Sequence, residues 1–246
     1  MNTKIFFEIH KDIPREGSGR DEYTQKAFEM IPYIKQPKIL DIGCGPGVQT
    51  IKLAKLTDGK IIGIDIHQPY LDKLEKNAKK QDLSHRIRAI NKSMIGMDFP
   101  EENFDIIWAE GSIFVIGFEE GLKEWKKIIK PNGYLAVHEM AWLKDNPPKE
   151  IKDYFKKVYP GINTIEEDIR IIKKCGYKLL GYFPLPEDAW WEFYYNPLEE
   201  RLKKLTKKYK NNPKALEMIR QEQEEIKLYR KYNQWYGSVF YVMQKQ

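Results

Sequence analysis

The stretch Asp41-Ile42-Gly43-Cys44-Gly45-Pro46-Gly47 constrains this chain more than any other. Glycines packed this densely weaken helices and strands, so they mark a tight turn that needs backbone conformations other residues avoid. The apolar run 38–41 (KILD) enters the turn as a strand, and 48–56 leaves it with helical spacing. A strand, a glycine turn and a helix begin a βαβ unit, and the second apolar run, 60–65 (KIIGID), supplies its return strand.

The alternation continues downstream. His67-Gln68-Pro69 opens a helix with Leu71, Leu74 and Ala78 facing inward; its proline sits near the first turn, where a missing N–H costs nothing. Strands are expected at 87–91, 104–109 and 134–138. A helix over 118–129 carries Leu122, Trp125, Ile128 and Ile129 as its apolar stripe, and Lys130-Pro131-Asn132-Gly133 reads as a turn. Upstream, 1–19 reads as irregular, with a flexible patch at Gly17, Ser18 and Gly19, and 21–34 as a helix. After Pro147-Pro148 come short helices over 149–158 and 164–174 and a strand over 177–185. A polar helical stretch over 197–233, broken near Asn212-Pro213, and a final strand over 238–244 complete the chain. Strands alternating with helices predict an α/β fold, a doubly wound and mostly parallel sheet with helices on both faces.

With 246 residues the chain suits one to two domains, and the pattern reads best as one. Residues 1–36 form a helical cap, 37–145 a ligand-binding core, and 146–246 a second half with a helical insertion over about 186–234. Hydrophobic residues at 41% and charged residues at 32% describe a globular chain with a wet surface. No run of 18 apolar residues predicts a membrane span, and 1–10 does not resemble a signal peptide, so a cytoplasmic location is expected. Two cysteines and four scattered histidines are too few for a metal centre. The net charge of +6 is concentrated in 196–232, where eleven Lys and Arg face six Glu. A basic segment suits nucleic acid, but interleaved glutamates on helical sequence suit a solvated face better.

The glycine loop implies a ligand. It lacks the GxxxxGK[ST] of a phosphate loop, and its third glycine comes one residue too early for the dinucleotide fingerprint GxGxxG. Asp41 lies two residues before the first glycine, and a carboxylate there suits a cationic ligand better than a pyrophosphate. S-adenosylmethionine (SAM) fits, with an ammonium, a sulfonium and one carboxylate that backbone N–H groups at a helix start can meet. Asp65 ends the second strand, where a carboxylate can accept bonds from ribose hydroxyls. Its alternative reading is a helix N-cap.

DIGCGPG at 41–47, GID at 63–65, FDIIWAEG at 104–111 and LKEWKKIIKPNGYLAV at 122–137 together resemble the ordered motifs of class I SAM-dependent methyltransferases. The likeness covers about 37–140 and is strongest to the small-molecule branch similar to ubiquinone/menaquinone biosynthesis methyltransferases. It implies a Rossmann-like seven-stranded sheet with an antiparallel last strand. It also implies SAM as cofactor and S-adenosylhomocysteine (SAH) as product, with no metal. By the same resemblance Asp41, Gly43, Cys44, Gly45 and Gly47 hold the methionine end, Asp65 the ribose, and Ile66 and Met94 the adenine. Ser93 stands where the family usually has an aspartate, and Glu110 and Gly111 lie beneath the sulfonium.

Methyl transfer from a sulfonium is a direct displacement that needs alignment above all, and a base only when the nucleophile keeps its proton. Candidate bases are Glu110, His138 and Glu139, at or near strand C-termini. His138 also reads as a core histidine and Glu139 as a structural hydrogen-bonding group. Seven aromatics crowd 182–195. Trp190, Trp191 and Tyr194, joined by Trp142 and Tyr236, are expected to line an acceptor pocket suited to an aromatic ring or an amine; the plain alternative is core packing. The expected partner is thus a small molecule rather than nucleic acid, and a homodimer is compatible with the sequence. The competing functions are an RNA or protein methyltransferase using 196–232, and a SAM-binding scaffold without turnover. Asn146-Pro147-Pro148 follows the fifth strand rather than the fourth, so it carries no weight as an NPPY motif. Arsenite methylation lacks the cysteines it would need.

Overall fold

The computed structural model of the protein describes residues 3–246. The elements run α1 (Thr3–Ile9), α2 (Asp21–Phe28), β1 (Lys38–Ile42), α3 (Val48–Leu56), β2 (Lys60–Asp65), α4 (Gln68–Lys80), β3 (Ile87–Asn91) and β4 (Phe104–Glu110). They continue α5 (Phe118–Lys126), β5 (Ile129–Trp142), α6 (Lys149–Val158), β6 (Asn163–Thr164), α7 (Ile165–Lys174), β7 (Tyr177–Pro184), α8 (Asn196–Lys208), α9 (Pro213–Tyr232) and β8 (Tyr236–Lys245).

The sheet order is β3-β2-β1-β4-β5-β8-β7, with two-residue β6 added beside β5. β1 to β5 pair in parallel, while β8 runs antiparallel to both β5 and β7. This is the expected mostly parallel sheet with an antiparallel last strand. The central strands are buried on both faces, which is why they read as continuous apolar runs rather than alternations. One apolar cluster lies under α2, α3 and α4, around Trp108 and Phe240. A second lies under α5 and α7, around Phe104 and Trp125.

A third cluster stands apart from the sheet faces. Ile5 and Ile9 of α1, Leu198 and Leu202 of α8, and Ile219, Ile226 and Tyr229 of α9 form it, with Trp190, Tyr194, Tyr195 and Tyr236. Met140 and Trp142, near the C-terminal end of β5, pack against it. The insertion is therefore a helical cap over the strand ends where doubly wound sheets bind ligands. Part of its charge is held in surface pairs, among them Arg220–Glu217, Arg230–Glu199 at 3.1 Å and Lys231–Glu150 at 2.6 Å.

Three local expectations change. Residues 1–19 are not irregular throughout: Thr3–Ile9 is a helix whose last carbonyls, Glu8 O and Ile9 O, accept from Arg201 Nε at 2.9 Å each. The glycine patch is not a free linker, because Ser18 and Gly19 are buried. The 130–133 turn lies within β5 as an irregularity, with Asn132 at φ +59° and a register shift opposite Phe104 and Ile106. Asparagine tolerates that left-handed conformation, so the turn chemistry persists inside the strand.

Candidate functional site

The glycine loop crosses the C-terminal edge of the sheet between β1 and α3. Gly43 N and Cys44 N both donate to Ile64 O at 2.9 Å, tying the loop to β2. Gly45 N donates to Asp65 Oδ2 at 3.0 Å, and His67 N donates to Asp65 Oδ1 at 2.8 Å. Asp65 thus fixes the loop and the α4 entrance together. Each carboxylate oxygen keeps acceptor capacity beyond those bonds.

The three glycines have different reasons to be glycine. All are left-handed, at φ +69°, +52° and +84° for Gly43, Gly45 and Gly47. A Cβ on Gly47 would come within 2.2 Å of Leu74 Cδ1, so this glycine serves the packing of α3 on α4. A Cβ on Gly43 would come within 2.5 Å of Ser112 Cβ and 3.6 Å of Met94 Cε, which brings the segments after β3 and β4 onto the loop. Ser112 Oγ donates to Ile42 O at 2.6 Å and pins that second segment. Cys44 is wholly buried in the core, with its N–H donating to Ile64 O and its carbonyl accepting from Gln49 Nε2 at 3.1 Å.

Asp41 is fully buried and accepts from Thr50 Oγ1 at 2.5 Å; burial pushes its carboxyl up to about 7. Ile66 is 64% exposed, an apolar surface beside the ribose acid. Ser93 is exposed, and its Oγ accepts from Ile95 N at 3.0 Å. Gly111 is open, with nothing within 4 Å of a Cβ built on it.

Glu110 ends β4 and sits in register with His138, but β5 runs on to Trp142, so His138 and Glu139 lie inside that strand rather than at its end, paired with Phe240 and Val239 of β8. The Glu110 carboxylate accepts from Arg15 Nη2, from Thr24 Oγ1 at 2.7 Å and from Trp108 Nε1 at 2.8 Å. His138 Nε2 lies 3.3 Å from Ser18 Oγ, which lies 2.8 Å from Ser238 Oγ; burial and the nearby Arg15 charge hold the imidazole down to about 3. Glu139 points to the opposite face of the strand, where burial raises its carboxyl to about 8. At neutral pH His138 therefore stays neutral and barely basic and Glu139 keeps its proton, while the Glu110 carboxylate oxygens are already engaged by three donors. None of the three is poised to take a proton in this conformation.

The residues sequence reasoning missed lie mostly in the N-terminal segment. Arg15, 6% exposed, pairs with Glu110 while its Nη1 has no partner. Gly19, at φ +130°, lets the chain pass: a Cβ there would come within 2.9 Å of Arg15 Nε. Glu16 approaches the open side of Gly45 (3.8 Å from a Cβ built there), and burial lifts its carboxyl to about 7. Phe7 of α1 stacks on His67 with centroids 3.5 Å apart. Residues 3–24 thus close over the loop, and the signal available was the GSG sequence, which marks close approach as well as flexibility. A cavity of about 600 Å³ opens beside this closure, lined by Pro14, Arg15, Gly19, Val48 and Phe193 among others. None of Trp142, Trp190, Trp191, Tyr194 or Tyr236 lines it; they belong to the cap cluster, with Trp190, Tyr194 and Tyr236 buried and Trp142 and Trp191 half-buried.

The loop, the acid after β2 and the sheet order define a nucleoside-binding class of Rossmann-like proteins. A family model described as a methyltransferase domain matches residues 35–234, and the chain belongs to that family. A sterol 24-C-methyltransferase of Aspergillus fumigatus is 27% identical over 151 residues, 58% of this chain and 40% of that protein. Its counterpart from Saccharomyces cerevisiae is 27% identical over 152 residues, 58% of this chain and 39% of that one. The chain thus spans about two fifths of the curated relatives it matches. A SAM-dependent methyltransferase from Thiobacillus denitrificans, solved in complex with SAH, superposes with TM-score 0.85 at 15% identity, covering 99% and 98% of the two chains. YjhP from E. coli does so with TM-score 0.86 at 17% identity, covering 99% and 100%. These structures share the fold. The cofactor of the family is SAM, and the open face of Gly111 and the spare acceptor capacity of Asp65 fit it. No described helix is long and apolar enough to cross a membrane.

Proposed function

We propose that the protein moves a methyl group from SAM to a small-molecule acceptor in the cytoplasm. The carrying observation is the loop itself: left-handed Gly43 and Gly45 bound to β2, with Asp65 joined to Gly45 N at the edge of the same crevice. SAM when bound supplies an electrophilic methyl on a sulfonium sulfur. The chain's contribution is to hold and exclude. Asp65 accepts from the ribose, Ile66 and Met94 offer apolar surface to the base, and the backbone of Gly43 to Gly45 leaves room for the methionine end. Arg15, Thr24 and Trp108 hold Glu110 at the end of β4, so that edge is rigid before any acceptor arrives. Residues 3–24 and the cap keep water from the crevice. A small molecule, rather than RNA or protein, is supported by the cap's closed aromatic interior and by the surface pairing of its basic residues.

The test uses methyl-labelled SAM, the purified protein and extract of the source cell. Label is expected in the small-molecule fraction; label in RNA or protein would overturn the reading. As a control, Asp65→Ala is expected to weaken SAH binding by about 10- to 100-fold, since each charge-assisted bond to the ribose contributes roughly 1.5–3 kcal/mol. Unchanged affinity in calorimetry would remove Asp65 from the cofactor site.

A further inference from the structure

Helix α9 carries two glutamates inward. Glu222 and Glu225 lie three residues apart, on one helical face with Ile219, Ile226 and Tyr229. Tyr195 OH donates to Glu225 Oε1 at 2.9 Å. Glu222 Oε2 lies 3.7 Å from His10 Nε2, and its side chain is 16% exposed. Burial lowers the His10 imidazole and so disfavours its charged form, although the bond of Nδ1 to Phe6 O at 3.0 Å acts the other way. Among the described residues neither glutamate has a lysine or arginine partner, whereas the outward-facing Glu199, Glu200 and Glu217 of the same two helices each have one. Burial pushes both carboxyls upward, and the neighbouring Glu225 charge adds to it for Glu222. An apolar cap thus holds two acids without a counterion, an arrangement that costs stability unless something cationic joins it.

The surroundings suit a cation. Trp190 stacks on Tyr195 at 5.1 Å, Tyr194 packs against Tyr195 at 5.0 Å, and Tyr229 meets Tyr236 edge-on at 5.7 Å. Aromatic faces attract ammonium groups through their quadrupoles. Tyr236 is 2% exposed, yet its hydroxyl has no partner, and Glu225 is the charge that acts on it most strongly. A buried phenol oxygen with a free lone pair near the Glu225 carboxyl can accept from an N–H⁺ donor or, more weakly, from the polarised C–H groups of a quaternary ammonium. The cluster extends toward the cavity side: the Tyr194 hydroxyl lies 3.4 Å from His10 Nε2, the neighbouring Phe193 lines the cavity, and Glu16 joins Glu222 and Glu225 among the charges that act on Tyr194. Glu16 is the residue over Gly45.

We propose that Glu222, Glu225 and Tyr236, walled by Trp190, Tyr194 and Tyr195, bind the positively charged amino group of the methyl acceptor, which is therefore an organic cation. The inference rests on the reading of the protein as a small-molecule methyltransferase and narrows its substrate class. Binding adds no covalent step: the cation displaces the proton that the acid pair holds, and that proton leaves to solvent.

The test is calorimetry on the protein first saturated with SAH, with choline as the cationic probe and its uncharged isostere 3,3-dimethylbutan-1-ol as the control. Choline is expected to bind at least tenfold more tightly than the isostere. The double variant Glu222→Gln/Glu225→Gln is expected to lose at least tenfold in choline affinity with SAH affinity unchanged. Tyr236→Phe, which removes only an unpartnered hydroxyl, provides a variant that does not disturb the acid pair, and about a threefold loss of choline affinity is expected. SAH binding without choline binding, equal affinity for the isostere, or a double variant that binds choline normally would each overturn the proposal while leaving the methyltransferase reading intact. Failure of the wild-type protein to bind SAH would instead remove the reading beneath it.

Discussion

Replacing Glu110 with leucine is expected to destabilise the protein by about 3–5 kcal/mol, because it leaves the Arg15 guanidinium buried and without its counterion. For a chain of this length that is a fall in Tm of roughly 6–20 °C. Arg15 has little means of escape: it is 6% exposed, packed on Gly19, with its Nε donating to Ser18 O at 3.3 Å and its Nη1 already lacking a partner. The reverse change, Arg15→Met, is expected to cost less, about 1–3 kcal/mol, since Glu110 keeps two hydrogen-bond donors. Those donors are Thr24 Oγ1 and Trp108 Nε1. The double variant Arg15→Met/Glu110→Leu is expected to recover most of the single-variant loss, because no charge is then stranded. Thermal melts of the four proteins form a double-mutant cycle. A Tm for Glu110→Leu within about 3 °C of wild type would mean that the pair contributes little and that 11–24 docks through other contacts. SAH affinity is expected to fall in both single variants, since the segment that closes over the glycine loop is held by this pair.

That prediction rests on a contact the sequence does not announce. Strands 60–65 and 87–91 and helix 48–56 coincide with β2, β3 and α3 because short apolar runs in strands, and a helix with one apolar stripe, each leave a local pattern, even in β3 at the sheet's edge. The glycine loop and Asp65 are legible for the same reason: turn geometry and the strand end lie close together in the chain. Arg15 and Glu110 are 95 residues apart, and nothing around Arg15 marks it as other than a surface cation. Helix α1 is missed because seven residues make a marginal helix alone; here Arg201, on α8, bonds to its last carbonyls. Glu222 and Glu225 escape notice because glutamate within a polar helix reads as solvated, and only the packing of α9 against Tyr195 and Tyr236 turns them inward. The candidate bases fare differently: Glu110 does end β4, but pairing with β8 carries β5 past His138 and Glu139 to Trp142, and the protonation of those two depends on burial that no local sequence reports.

Burial of acids also fixes how stability should vary with pH. Burial raises Asp41 and Glu16 to about 7, Glu139 to about 8 and Asp168 to about 6. For a carboxyl raised in the folded state, the unfolded chain releases its proton first as pH rises. Folding therefore retains protons between the unfolded and folded values, and stability falls through that window. His138 has the opposite sign. It is held at about 3 when folded, so the unfolded chain gains protons below its ordinary value near 6.5, and stability falls as pH drops. Burial also raises Glu222, to about 8, with Glu225 and Asp65, and lowers His10 and His67; with seven raised acids against three lowered histidines, the net slope from pH 5.5 to 8.5 is downward. The expected loss is about 2–5 kcal/mol, well under the sum of the individual shifts because buried acids relax toward water, which lowers Tm by roughly 5–15 °C. Glu139→Gln separates the terms: Glu139 is buried on the face opposite Glu110 and His138, and its Oε1 accepts from Met140 N at 2.6 Å. A neutral amide there no longer has to be kept protonated. The variant is expected to match wild type near pH 5 and to exceed it in Tm at pH 8.5, flattening the profile. Melts of the cofactor-free protein at pH 5.5, 7 and 8.5 decide the matter, and a wild-type Tm that stays level or rises across that range would show that the buried acids ionise with little penalty.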